Sequence, residues 1–211
     1  PGYGDTLVTG WAYIGGMKVG ILANNGILFT EASNKASQFM QICDRDGTPL
    51  AETMGALAKA KRDGKARHIG VANFNIALIE EATKLCPEPL SVLQAEYHPY
   101  LDQSKVLAYC RKTGLLFMAY CPLGRGRLFS EPVLADIARA KGKTLAQVAL
   151  RWLVQQGNIA PIPRSSNPKH MAESLEVFDF TLTDDEMKRI HELARPDGRI
   201  ANPKGRAPKW D

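Results

Sequence analysis

Cysteine is scarce: Cys43, Cys86, Cys110 and Cys121 are the whole set, and none stands at a metal-binding or redox spacing. That argues against a disulfide-stapled secreted scaffold and against a metal centre, and it points to reduced thiols in the cytoplasm. Long apolar runs are missing, so no membrane span is expected, and no signal peptide is visible. Low-complexity segments are missing as well. Basic residues are scattered through 59–67, 125–127, 139–143 and 199–209, with no long run and no aromatic interleaving. The net charge of +5 is therefore explained at least as well by an anionic small molecule as by nucleic acid, and no nucleic-acid partner is expected. No Gly-rich dinucleotide fingerprint follows any expected strand. A starting methionine is lacking too; with Pro1 at its front the chain looks like a fragment at that end.

What is present reads as globular. Hydrophobic residues make up 45% and charged residues 23% of 211 positions, enough for a real core in one domain or a domain plus an appendage. The first 50 residues differ in texture from the rest. Residues 6–14 and 18–23 read as neighbouring strands, with turns at Gly15-Gly16 and Asn24-Asn25-Gly26. Ser33 caps an expected helix through Asp44, with Ala36, Phe39, Met40 and Cys43 on one face and Gly47 ending it.

From Glu52 the pattern becomes helix, strand, helix, strand. Helices are expected over 52–62, 76–85 and near 103–112, with strands over 67–71, 91–95 and 115–120. The last of these is too apolar to face water on either side, as a parallel sheet requires. Two helices follow, near 131–141 and 144–156, the second opened by a Thr144/Gln147 capping box. A final helix begins at Thr183, boxed by Glu186, and runs through Met187, Ile190 and Ala194. Strands starting near 67, 91 and 115 recur every 24 residues, the rhythm of parallel βα units. Four such units are half of an eight-fold barrel, although periodicity alone also admits an open doubly wound sheet.

The segment Asn158 to Ser174 carries the clearest chemical signal. It reads as a short buried strand, a loop, and a helix capped by Asn167 and opened by Pro168. The loop brings Arg164, Ser165 and Ser166 to the positive end of that helix, beside free backbone N–H groups. Phosphate suits such a place, and TIM barrels use one near the end of the chain. A solvated basic loop explains the segment alone equally well; the βα pattern of the rest favours phosphate.

Four phrases carry a family resemblance: Gly64 to Phe74 (GKARHIGVANF), Gln94 to Tyr100 (QAEYHPY), Ala119 to Leu123 (AYCPL) and Ile162 to Ser166 (IPRSS). With the ending Asn202 to Asp211, they make residues 51–211 resemble the C-terminal half of an aldo-keto reductase of the 2,5-diketo-D-gluconate reductase type. The resemblance implies an α/β fold, an incomplete TIM barrel of four βα units, and NADP(H) as cofactor. It implies that Asn73 and Gln94 hydrogen-bond the nicotinamide carboxamide and that Tyr120 stacks on the nicotinamide. By the same resemblance Arg164 and Ser165 grip the 2′-phosphate, helped by His170 where the family more often has Arg. Ser166 belongs to the same phrase, Glu173 reaches the adenine amino group, and Leu123 lines the pyrophosphate path. Ala72 stands where the family often has Ser, and Ser174 where Asn is usual. His98 matches a structural histidine of the family; His68 and His191 read as packing or surface residues. Read without the resemblance, Asn73 and Gln94 could simply satisfy loop backbone, and Tyr120 could be ordinary core.

The same resemblance implies a gap. The family protonates its carbonyl substrate with a Tyr whose pKa a Lys–Asp pair lowers, and orients it with a His; all four come from the first half of the barrel. No catalytic residue is therefore assigned, and Tyr97, Tyr100 and Tyr109 lack a Lys–Asp partner at sensible spacing. Residues 1–50 instead resemble the carboxyltransferase β subunit of methylcrotonoyl/propionyl-CoA carboxylases, through Tyr3 to Gly10, Val19 to Gly26 and Gln41 to Asp44. This implies a crotonase-like hairpin and helix cut before the loop that polarises the acyl-CoA carbonyl. The expectation is a chimera of two parts, 1–50 and 51–211, whose larger part keeps much of an NADP(H) site. Small aldehydes and ketones are the complete family's substrates, and self-association through exposed barrel edges is expected. The alternatives are a carboxyltransferase fragment and a non-catalytic chimeric fragment.

Overall fold

The structure, a computed structural model, describes residues 49–202 and 208–211 in full and residues 7–14 and 17–24 as backbone. The described residues fall into two compact units, one within 1–69 and 80–90, the other within 70–79 and 91–211.

In the first unit β1 (Leu7–Ile14) and β2 (Met17–Asn24) pair antiparallel, Leu7 opposite Asn24 and Ile14 opposite Met17. The two expected turns fall wholly or partly outside the described residues, as does the helix expected over 33–44. Helix α1 (Leu50–Arg62) starts two residues before the expected Glu52, because Pro49 provides the entry with φ −59° and ψ 142°. Met54 and Ala58, one turn apart, form its buried face, and the Cys86 thiol donates to the Met54 carbonyl at 3.7 Å. Asp63 ends the helix and accepts Lys59 Nζ at 2.8 Å.

The second unit holds β3 (Gly70–Ala72), β4 (Val92–Glu96), β5 (Leu116–Tyr120) and β6 (Ile159–Pro161), all parallel and ordered as in the chain. Between them in the chain run α2 (Ile76–Leu85), α3 (Ser104–Thr113), α4 (Pro132–Lys141) and α5 (Leu145–Gln155). After β6 come α6 (Pro168–Glu173) and α7 (Asp184–His191). Right-handed crossovers deliver such helices to one side of the sheet. Burial largely follows suit: Val71, Leu93, Ala95, Phe117 and Ala119 are buried, whereas Ala72, Gln94, Leu116, Met118 and Tyr120 on the alternate positions are half-buried, with Glu96 on that alternation fully buried. In β5, expected to be too apolar to face water on either side, no residue is exposed. One face is packed under helices and the other is only partly covered, as in half a barrel.

β3 begins at Gly70, three residues after the expected Arg67, because its first ladder partner is Val92, where β4 starts. A Cβ at Gly70 would lie 2.3 Å from the Val92 carbonyl oxygen, so the two backbones approach more closely than a side chain allows. The insertion before β6 contains α4 and α5 as expected, and also two 3₁₀ turns over Gly124–Ser130 that the sequence pattern did not announce. They join where Arg125 and Gly126 take φ of 52° and 89°, and they bury Leu128 fully. The capping boxes at Thr144/Gln147 and Thr183/Glu186 are both formed. Leu145 is only half-buried, while Val148, Ala149 and Trp152 are in the core. Helix α7 stops at His191, short of Ala194. Among the described residues no helix is long and apolar enough to cross a membrane.

Candidate functional site

Three of the expected site residues come together on neighbouring strands: Asn73 just past the end of β3, Gln94 in the middle of β4 and Tyr120 at the end of β5. Asn73 leaves β3 with φ of 59°, a left-handed value that Asn tolerates, and its N–H donates to the Gln94 carbonyl at 2.8 Å. Gln94 lies in register with Met118 on β5, so the two side chains stand side by side on one face. Gln94 Nε2 donates to the Met118 sulfur at 3.1 Å. Two residues along the same face of β5, the Tyr120 hydroxyl donates to Asn73 Oδ1 at 2.8 Å. Burial drives the Tyr120 phenol above its usual pKa, with the Glu96 carboxylate adding to the shift, so it keeps its proton. Leu123, half-buried, is the third residue of a turn closed by the Gly124 N–H on the Cys121 carbonyl at 2.8 Å.

The other expected residues lie on the loop after β6. The Ile162 N–H anchors that loop to the Ala119 carbonyl at 3.0 Å. Arg164, Ser166 and His170 are exposed, and Ser165 is half-buried. Two backbone donors expected to be free have internal partners: Asn167 N–H gives to Ser165 Oγ at 3.0 Å and Lys169 N–H to Asn167 Oδ1 at 2.9 Å. Helix α6 spans six residues, so its macrodipole is small. What this loop offers an anion is chiefly the Arg164 guanidinium, which has no carboxylate partner among the described residues. Glu173 lies 3.8 Å from Lys169 Nζ, and Ser174 Oγ donates to the His170 carbonyl at 2.7 Å.

Beneath the first group lies a buried polar knot that sequence reasoning did not single out. Glu96, fully buried, accepts the N–H groups of Ile200 and Ala201 at 2.6 and 2.7 Å and faces His98 Nε2 at 2.9 Å. Burial alone would raise its pKa; the three hydrogen bonds outweigh that and hold it below the usual value. Gln103 Nε2 donates to the Glu96 carbonyl at 2.7 Å. The clue in the sequence was a Glu between apolar strand residues, an expensive burial unless partners are supplied. Beyond the knot, Arg199 stacks on the Trp210 ring at 3.7 Å, and Asp211 accepts the Ile76 N–H at 2.9 Å. Arg199, Trp210 and Asp211, with Leu101, Asp102 and Arg195, line an open recess of about 480 Å³.

Three tyrosines are tuned away from acid catalysis. Burial raises the phenol of Tyr97, whose hydroxyl donates to Gln156 Oε1 at 2.9 Å. Tyr100 is pushed up to about 12 by burial and by the Glu131 carboxylate that accepts its hydroxyl at 2.8 Å. With Tyr120 shifted the same way, none of the three resembles a phenol acidified by a neighbouring cation.

Comparison with known proteins bears on both parts of the chain. The profile of the aldo/keto reductase family matches residues 40–195, and that of the carboxyl transferase domain matches residues 1–54. An aldo-keto reductase of Mycobacterium sp. (strain MCS) is 44% identical over 142 residues, covering 67% of this chain and 50% of the relative. The glyoxal reductase of Bacillus subtilis is 38% identical over 152 residues, covering 72% and 55%. Among solved structures, a putative 2,5-diketo-D-gluconic acid reductase B superposes with a TM-score of 0.75 at 47% identity, over 77% of this chain and 58% of that one. A mutant of Gox0644 in complex with NADPH superposes with a TM-score of 0.69 at 36% identity, over 72% and 56%. The chain spans about half the length of the curated relatives it matches. With three quarters of its residues inside that family's profile, and a parallel four-stranded sheet that superposes on part of the family's barrels, this chain belongs to the aldo/keto reductase family.

Proposed function

We propose that residues 51–211 are the coenzyme-holding half of an NADP(H)-dependent reductase of small aldehydes and ketones, sugar-derived ketones among them. The observation that carries this reading is the donor and acceptor pattern that Asn73 and Gln94 present. Asn73 has its oxygen engaged by Tyr120 and keeps its NH₂ to donate; Gln94 has its NH₂ engaged by Met118 and keeps its oxygen to accept. A primary carboxamide presents the complementary pair, one acceptor and one NH₂. Tyr120 offers a ring face beside it, Leu123 lines the path of the pyrophosphate, and Arg164 with Ser165, Ser166 and His170 receives the 2′-phosphate. Glu173 takes the adenine amino group. When bound, the coenzyme supplies the hydride; the residues named here bind and orient it.

The chain on its own does not reduce carbonyls in this reading. Reduction needs a proton donor aimed at the developing alkoxide, and the raised phenols of Tyr97, Tyr100 and Tyr120 are poor candidates. The test is a fluorescence titration with NADPH followed by an assay on glyoxal. Binding without turnover is the expected result, and measurable reduction by the purified chain would overturn the claim that the acid is missing.

The carboxyl transferase match over residues 1–54 supports a second part of distinct origin, so we read the chain as a chimera joined near Pro49-Leu50. A single transcribed reading frame across that codon is the check. A carboxyltransferase activity is the lesser reading, and calorimetry with propionyl-CoA decides it. Cys86, Cys110 and Cys121 are free thiols, in keeping with a cytoplasmic location. Self-association through the outer strands β3 and β6 completes the proposal.

A further inference from the structure

From the contact between Gln94 and Met118 we infer that Met118 determines specificity: it makes the site select a nicotinamide coenzyme against its nicotinic acid counterpart. This rests on the coenzyme reading above and adds a role that the reading leaves unassigned. A thioether sulfur accepts hydrogen bonds and donates none. Gln94 stands in register with Met118 and reaches its sulfur at 3.1 Å, so only the NH₂ of the Gln94 amide suits that side. Turning the amide over would set Oε1 against the sulfur lone pairs at the same distance. Met118 therefore locks Gln94 with its oxygen outward, as an acceptor.

An outward acceptor discriminates by chemistry. A carboxamide turns its NH₂ to Gln94 Oε1 and its oxygen to the Asn73 NH₂. A carboxylate has two acceptor oxygens and no donor, so one of them faces Gln94 Oε1 without a proton between them. The Asn73 side does not separate the two ligands, since both offer it an oxygen. Discrimination accordingly lies with Gln94, and its polarity lies with the sulfur. Leaving one polar group unpaired in a part-buried site corresponds to roughly a tenfold preference or more.

Leucine at position 118 keeps the volume and removes the acceptor, a swap that cores tolerate well. The experiment is isothermal titration calorimetry of the wild-type chain and Met118→Leu with NADPH and with the reduced nicotinic acid analogue. The wild type is expected to prefer NADPH by about tenfold or more. Met118→Leu is expected to lose most of that preference by binding the acid analogue more tightly, a gain that simple destabilisation cannot produce. If the leucine variant does not melt cooperatively, Met118→Ile takes its place, a β-branched residue suited to a strand. Equal affinity of the wild type for both ligands, or an unchanged ratio in the variant, overturns the role of Met118 and leaves the coenzyme reading standing. Failure of the wild type to bind either ligand overturns that reading, and this inference with it.

Discussion

Glu96 and Ile200 stand 104 positions apart, yet the Ile200 N–H points at Glu96 Oε1 from 2.6 Å. With the Ala201 N–H on the other oxygen and His98 beside the first, one buried carboxylate pins the C-terminal segment to the end of β4. Replacing Glu96 with Gln keeps the shape but turns an NH₂ towards groups that themselves donate. A loss of about 3 kcal/mol in urea unfolding is expected, the range for breaking a buried charged network. A loss under about 1 kcal/mol would mean that the tail is held elsewhere.

The same carboxylate sets a pH dependence. Its pKa in the folded chain lies below the unfolded value, because three hydrogen bonds favour the charged form over the opposing effect of burial. A group depressed in this way contributes stability above the unfolded carboxyl range, and that contribution is lost as pH falls through the folded value. The Tm should therefore fall on acidification below the ordinary Glu range more steeply for the wild type than for Glu96→Gln. Parallel profiles would show that other carboxylates govern acid unfolding.

Much of the βα framework was legible because short-range chemistry decides it. The Thr144/Gln147 and Thr183/Glu186 boxes need only local residues, and both formed as the sequence predicts. The start of β3 was misplaced because Arg67 and His68 read as strand by propensity, while the ladder begins only where Val92 is available. The 3₁₀ turns at Gly124–Ser130 escaped notice because their signal is a pair of glycines around Arg125 rather than a hydrophobic period. Asn73, Gln94 and Tyr120 could be named one by one from a family resemblance. That Met118 and Tyr120 meet the two amides depends on cross-strand register, which no single segment encodes.

Register also makes Gly70 a sensitive position. An added methyl would lie 2.3 Å from the Val92 carbonyl oxygen and 3.0 Å from the Val92 side chain, and backbone cannot yield as a side-chain tip does. Gly70→Ala should cost about 2 kcal/mol by chemical denaturation, in the range for overpacking. An unchanged midpoint would show that β3 can slide away from β4.

Arg164 is exposed and without a carboxylate partner among the described residues, so its removal should leave folding intact. If it holds the 2′-phosphate, Arg164→Ala should weaken NADPH by about tenfold or more, as for loss of a charge-assisted hydrogen bond. NADH affinity should barely change, and the difference should shrink at high salt. Equal affinity of the wild type for NADH and NADPH would remove the phosphate from this loop.

The proposed self-association would use the outer strands of the sheet. β3 and β6 each pair on one side only within their sheet, and two four-stranded sheets would supply the strand count of a closed barrel. After β6 in the chain come exposed apolar residues: Ile162, and then Met171, Leu175 and Phe178 at spacings of four and three, with Leu175 75% and Phe178 70% exposed. Ladder extension is not the main force there, because Pro161 and Pro163 carry no N–H to offer a new strand. Apolar burial would drive the proposed association instead, at roughly 25 cal/mol per Å² covered. Sedimentation velocity should therefore reveal a concentration-dependent dimer of the wild-type chain. Leu175→Lys together with Phe178→Glu should shift it to monomer while leaving the far-UV spectrum unchanged, since both side chains point into solvent. A wild-type chain that sediments as a folded monomer at every concentration would refute the pairing of halves.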